Sequence, residues 1–187
     1  MLTILEREQM IQAMRDELTS AGVKELRTAE EVEKALKEAK GISLIFINSV
    51  CGCAAGKARP GFVMSLDNEV VPDQLFTVFA GQDKEATEAA RKFFTNQPPS
   101  SPSIAFMKDG EFMGMIHRHQ IEARSAEMIA AELKNIYNKY CSKKKRGGLI
   151  FNCDTPRAKR LRGVRNRLHM CCKEKRLPRQ ADLQGTE

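Results

Sequence analysis

Residues 42–59 read Ile42-Ser43-Leu44-Ile45-Phe46-Ile47-Asn48-Ser49-Val50-Cys51-Gly52-Cys53-Ala54-Ala55-Gly56-Lys57-Ala58-Arg59. The first six residues form a short apolar run rich in β-branched side chains, the pattern of a strand covered on both faces. The pattern breaks at Asn48-Ser49-Val50. From Ala54 to about Leu66 the composition turns helical, with Pro60 expected to kink the helix or end its first turns. Two cysteines therefore stand where a buried strand gives way to a helix.

Working outward toward the N-terminus, Thr28-Ala29-Glu30-Glu31 has the form of a capping box, which predicts a helix to about Ala39 with Val32 and Leu36 facing inward and Gly41 closing it. Before it, Ile4, Ile11, Met14 and Leu18 recur at helical spacing, and Gly22 ends that segment. Toward the C-terminus, Leu75-Phe76-Thr77-Val78-Phe79 is a second buried strand, and Asp83 is placed to cap a helix from Lys84 to about Phe94. Gln97-Pro98-Pro99-Ser100-Ser101-Pro102 is a stiff loop. A strand from Ser103 to Met107, an Asp109-Gly110 turn and a strand from Glu111 to Ile116 make a hairpin. A last helix runs from about Ala123 to Tyr140, with Met128, Ile129, Leu133, Ile136 and Tyr137 on one face.

The order is α, α, β, α, β, α, β, β, α. Strand–helix–strand favours a parallel pair, because a right-handed crossover lays the helix on the sheet. The hairpin adds an antiparallel pair. The expected architecture is a mixed four-stranded sheet with helices on both faces, an α/β chain on the thioredoxin-like plan.

The chain has 187 residues and a formal net charge of +7, but that total describes no part of it. Residues 1–140 carry 17 Lys and Arg against 20 Asp and Glu, a net −3, while residues 141–187 carry 14 against 4, a net +10. The expectation is a globular domain over residues 1–141 and a basic, low-order tail over 142–187, with a short basic helix near 157–170. No apolar run approaches the roughly 18 residues of a membrane span. Glu6, Arg7 and Glu8 interrupt any signal-peptide core, so the expected compartment is the cytoplasm. In its reducing environment the 6 cysteines suit catalysis or metal binding better than permanent cross-links.

Cys51-Gly52-Cys53 carries the chemistry. Nucleophilic sulfur is thiolate, and a helix N-terminus favours thiolate through its unpaired N–H groups and positive dipole end. Lys57 and Arg59 add nearby positive charge, and no acidic residue lies between Ile42 and Leu66. Two cysteines flanking one glycine can reach bridging distance in a small, strained ring, which suits exchange rather than permanence. Ser101-Pro102, just before a strand, is the second element. With a cis bond, its backbone would be free to pair with a bound thiol or peptide. Cys51 and Cys53 could instead be half of a metal site, completed by a tail cysteine or by His117 and His119, which would point the same way on a strand.

Three stretches resemble the bacilliredoxin family: Asn48 to Pro60 around the cysteine pair, Thr77 to Thr87, and Ser100-Ser101-Pro102-Ser103. Arg118-His119 with Ile121-Glu122 is also similar. The resemblance covers roughly residues 5–141. It implies a thioredoxin-like fold and removal of the low-molecular-weight thiol bacillithiol from mixed disulfides on client proteins. Cys51 would be the nucleophile, and Cys53 or a second bacillithiol the resolving thiol. Weak disulfide reductase or isomerase activity is implied as well, with bacillithiol as co-substrate and no bound cofactor. Two other readings are a metal-binding or metal-delivery module and a nucleic-acid binder acting through the tail. The tail could neutralise phosphates, yet it has no aromatic residue beyond Phe151 for base stacking. It stands outside the resemblance and is read as an extension without a role of its own. Neither motif nor charge specifies an oligomeric state.

Overall fold

The computed structural model describes residues 3–142. The expected linker and basic tail beyond Ser142, with the short helix near 157–170, lie outside the described residues. Twelve elements follow in order. They are α1 (Ile4–Thr19), β1 (Lys24–Glu25), α2 (Ala29–Lys37), β2 (Ile42–Asn48), a π-helical turn (Ala54–Ala58) continuing into α3 (Arg59–Ser65), β3 (Gln74–Phe79), α4 (Lys84–Lys92), β4 (Ser103–Lys108), β5 (Glu111–Ile116), α5 (Arg118–Glu122) and α6 (Ala126–Tyr140).

One mixed sheet of order β1-β3-β2-β4-β5 runs through the centre. β2 pairs parallel with β3 and antiparallel with β4, and β4 pairs antiparallel with β5. Every residue of β2 is buried, as its apolar run requires. Its side chains alternate between two cores. Leu44 and Phe46 pack with Leu18, Phe62, Ile104, Ile129 and Tyr137, and Ile45 and Ile47 pack with Val32, Leu36, Val78, Ala90 and Met107. This is the thioredoxin-like α/β plan, with one difference. The sheet has five strands rather than four, because Lys24 and Glu25 add a two-residue parallel edge to β3. A two-residue charged strand leaves no period to read.

The capping box at Thr28 and Glu31 is present, and Asp109 and Gly110 turn the hairpin with φ of 50° and 84°. Positive φ at both central residues is what a two-residue hairpin turn asks for. Four expectations change. Residues 118–122 form a separate short helix, and Ser125 caps α6, its Oγ accepting from Met128 N at 3.3 Å. Met128, expected on the inner face of that helix, is exposed. At the N-terminus, Leu18 is buried while Ile4 is exposed, and Arg15 takes a core-facing position instead. Asp83 sits at the start of α4 without capping it, because Arg15 Nη1 and Nη2 hold its carboxylate at 2.7 and 2.9 Å. Glu25 also pairs with Arg15, so α1, β1 and the start of α4 share one buried cation.

Pro60 does not break its helix. It falls in the first turn of α3, where a missing N–H costs nothing, and the chain absorbs the preceding residues in the π turn. Gly61 has a packing reason. A Cβ there would stand 2.6 Å from Ala126 O and 2.9 Å from Ile129 Cβ, so glycine lets α3 lie directly against α6. Gly61→Ala should therefore lower stability by about 1–3 kcal/mol in denaturant unfolding. Gly56→Ala, whose Cβ meets open space, should show no such loss.

Candidate active site

Cys51 and Cys53 are joined as a disulfide, with their Cα atoms 5.4 Å apart, inside the usual range for a bridge. Helical backbone begins at Gly52, and Cys51 O accepts from Ala54 N and Ala55 N. Cys51 thus occupies the cap of the helix, and its sulfur does what a capping oxygen does: Sγ accepts from Ala54 N at 3.3 Å. Ser49 Oγ donates to the same sulfur at 3.2 Å. Two donors converge on Cys51 Sγ. With the disulfide open they face a thiolate, whose charge they favour.

The cationic side chains do something other than the sequence predicts. Arg59 is 1% exposed, and its guanidinium turns toward the strand end. Nε donates to Glu17 Oε2 at 2.6 Å, and Nη1 donates to Asn48 Oδ1 and Ser49 O, both at 3.1 Å. Asn48 Oδ1 also accepts from Ser49 N at 2.8 Å. The absence of acidic residues between Ile42 and Leu66 holds along the chain but not in space, since Glu17 arrives from α1. Arg59 therefore fixes the loop that carries Ser49. Lys57 Nζ donates to Glu122 O at 2.6 Å, which ties the turn after Cys53 to α5.

The Ser101–Pro102 peptide bond is cis. Its place follows from register. Ser103 pairs with Ile47 across the antiparallel β2–β4 ladder, so the chain before Ser103 runs beside the residues after Asn48, where the cysteines begin. Ser101 and this loop line a groove of about 440 Å³ together with residues 117–119 and Glu122. His117 and His119 are not on a strand. His117 precedes α5 and His119 lies within it, with their rings stacked 5.7 Å apart. His117 Nε2 lies 2.9 Å from Gln97 Oε1. Among the described residues no three His, Cys, Asp or Glu side chains come together to hold a metal ion. No helix of the described chain is long and apolar enough to cross a membrane.

A family model described as "Disulphide isomerase" matches residues 7–141. A bacilliredoxin of Shouchella clausii is 53% identical over 135 residues, covering 72% of this chain and 93% of that protein. One of Staphylococcus aureus is 50% identical over 135 residues, covering 72% and 92%. The chain belongs to the bacilliredoxin family. Among solved structures, oxidised thioredoxin O2 from Arabidopsis thaliana is 16% identical with a TM-score of 0.46, covering 63% of this chain and 96% of that one. Family membership and a cysteine pair capping the helix after the central strand make the chain a thiol–disulfide oxidoreductase.

Other features of the site escape a reading of the sequence. Ser49 is an ordinary loop serine until Arg59 and Asn48 aim it, and no spacing relates Glu17 to Arg59. Cys141, where α6 ends, is the one free thiol among the described residues. Burial, and then the charge of Asp73, push its pKa up to about 11, so at neutral pH it stays protonated and unreactive. In reduced protein, iodoacetamide at pH 7 should label Cys51 well before Cys141, and Cys141 should react only as the pH approaches 11. Ser49→Ala should slow Cys51 labelling about tenfold, the effect of losing one hydrogen bond to a charged sulfur. Peptide mapping after timed labelling reads both outcomes.

Proposed function

We propose that this chain removes bacillithiol, or a closely similar low-molecular-weight thiol, from mixed disulfides on client proteins, with Cys51 as nucleophile and Cys53 as resolving thiol. The observation that carries the reading is the asymmetry of the pair: the donors on Ser49 Oγ and Ala54 N both serve Cys51 Sγ. The sulfur with two donors is the one whose thiolate charge is better supported and which attacks.

The electron count closes in two exchanges. Cys51 thiolate attacks the bacillithiol sulfur of the mixed disulfide. A Cys51–bacillithiol bond forms, the bond to the client sulfur breaks, and the client leaves as thiolate and takes a proton from water. Cys53 thiolate then attacks Cys51 Sγ and expels bacillithiol as its thiolate. The product is the Cys51–Cys53 disulfide, whose return to two thiols takes two electrons from a dithiol or from two low-molecular-weight thiols. A second bacillithiol can replace Cys53 in the resolving step, giving oxidised bacillithiol and free Cys51. Weak disulfide reductase or isomerase activity follows from the same exchanges. No bound cofactor enters, and the partners are S-thiolated proteins in the cytoplasm, where such adducts are reversed.

Ser101 and Pro102 belong to the reading as substrate-binding residues. Their place before Ser103, which pairs with Ile47 next to the cysteine turn, supports their backbone as the rail on which a bound disulfide is aligned. Cys51→Ser should reduce release of bacillithiol from a bacillithiolated client to background. Cys53→Ser should retain the first exchange and accumulate a Cys51–bacillithiol adduct, read by intact mass. Full release by Cys51→Ser, or an adduct on Cys53 in the wild type, would overturn the assignment.

A further inference from the structure

We propose that the groove between residues 98–101 and α5 is the seat of the low-molecular-weight thiol, and that Arg118 selects thiols bearing carboxylates. The proposal rests on the thiol-transfer reading above and names the substrate class of that site.

The groove has the right place. It contains Ser101, whose loop runs beside the strand end that leads to Cys51. Its far wall is tied to the turn after Cys53 by the Lys57–Glu122 hydrogen bond. A thiol bonded to Cys51 therefore has this hollow within its surroundings. The groove also has the right size. About 440 Å³ lies within the range of roughly 300–1,000 Å³ typical of small-molecule sites. An extended protein segment needs a longer trough.

Its charge identifies the ligand. Arg118 is half-exposed and, among the described residues, uses two of its donors: its backbone N donates to Ser100 Oγ at 2.9 Å, and Nε donates to Glu122 Oε1 at 2.8 Å. Among the described residues, the two terminal nitrogens, the fork that matches a carboxylate, have no hydrogen-bond partner. The charged side chains here are Arg118, Glu122 and the adjoining Lys57, two cations to one anion, with His119 beside them. Glu122, which also lines the groove, already serves Arg118 Nε, so it orients the guanidinium at the groove's edge. The lining also includes Ser101, a neutral residue. A thiol with carboxylates fits this lining, and a cationic thiol does not.

The test uses the full chain and one client peptide carrying either bacillithiol or bacillithiol with its carboxylates converted to amides. Wild-type kcat/KM should favour the carboxylate form. In Arg118→Ala the ratio of the two kcat/KM values should fall about ten- to a hundredfold, the range for one charge-assisted hydrogen bond or bidentate pair. His119→Ala should lower the ratio less. Any loss of folded protein scales both substrates equally, so the ratio reports recognition alone. A ratio near one in the wild type, or one unchanged in Arg118→Ala, overturns the proposal while thiol transfer by Cys51 stands. A loss that follows the acidity of the client peptide instead would assign the groove to the client chain and also overturn it. If the wild type releases neither thiol, it is the underlying reading that fails.

Discussion

The buried guanidinium of Arg59 is the constraint on which the site depends. A charge removed from water is tolerated only when paired and fully hydrogen-bonded. Arg59 meets that demand with Glu17 from α1, Asn48 from the end of β2 and the backbone of Ser49. The satisfaction of one cation thus fixes three separate pieces of chain. Asn48 Oδ1 serves two donors at once, Arg59 Nη1 and Ser49 N, so the side chain that ends the strand also sets the direction of the next residue. That direction aims Ser49 Oγ at Cys51. Electrostatic support for Cys51 Sγ passes through a neutral hydroxyl and a backbone amide rather than through a cation beside the sulfur.

Sheet topology places everything else. Because β2 is central, its C-terminal end is flanked by β3 on one side and β4 on the other. Ala80 N donates to Asn48 O at 2.9 Å, closing the β3 side. On the β4 side the antiparallel partner arrives from the opposite direction, so its leading loop, with the cis Ser101–Pro102 bond, stands beside the cysteine turn. A parallel neighbour would have brought a strand end there instead. The single reversal of direction between β2 and β4 is what sets the Ser101–Pro102 loop next to the Cys51–Cys53 disulfide.

Much of this was legible in residues 42–59 alone. A continuous apolar run has one reading when it is short and followed by a helix former, and its burial on both faces follows from that. Local devices were legible for the same reason: the capping box at Thr28 and the Asp109-Gly110 turn depend on residues three or fewer apart. The elements that were missed depend on partners far along the chain. Asp83 looks like a cap until Arg15, 68 residues earlier, takes its carboxylate. Arg59 looks like a thiolate partner until Glu17, 42 residues earlier, draws it the other way. β1 is too short for any period, and so is the five-residue α5, which leaves His117 and His119 to be read as the end of the hairpin strand. The assignment of Cys51 and Cys53 came from the resemblance and the motif together. The donors that distinguish the two sulfurs required coordinates.

Charge illustrates the difference between a sum and a location. The total of +7 divides into −3 and +10 along the chain, and neither part describes the site. At the site, Arg59 is consumed by structure and Lys57 by a backbone carbonyl, so neither is available to a ligand. Arg118 differs because its neighbour is placed to engage Nε and, among the described residues, none engages the two terminal nitrogens. A carboxylate that approaches from solvent meets a guanidinium already oriented by Glu122, and so loses less freedom on binding than it would against a mobile lysine. Selectivity in such a groove comes from one oriented fork of donors, and the reactivity of the disulfide comes from two uncharged donors on one sulfur. The two functions are held by separate parts of the chain, α5 and the β2–helix turn, that meet through the Lys57–Glu122 bond.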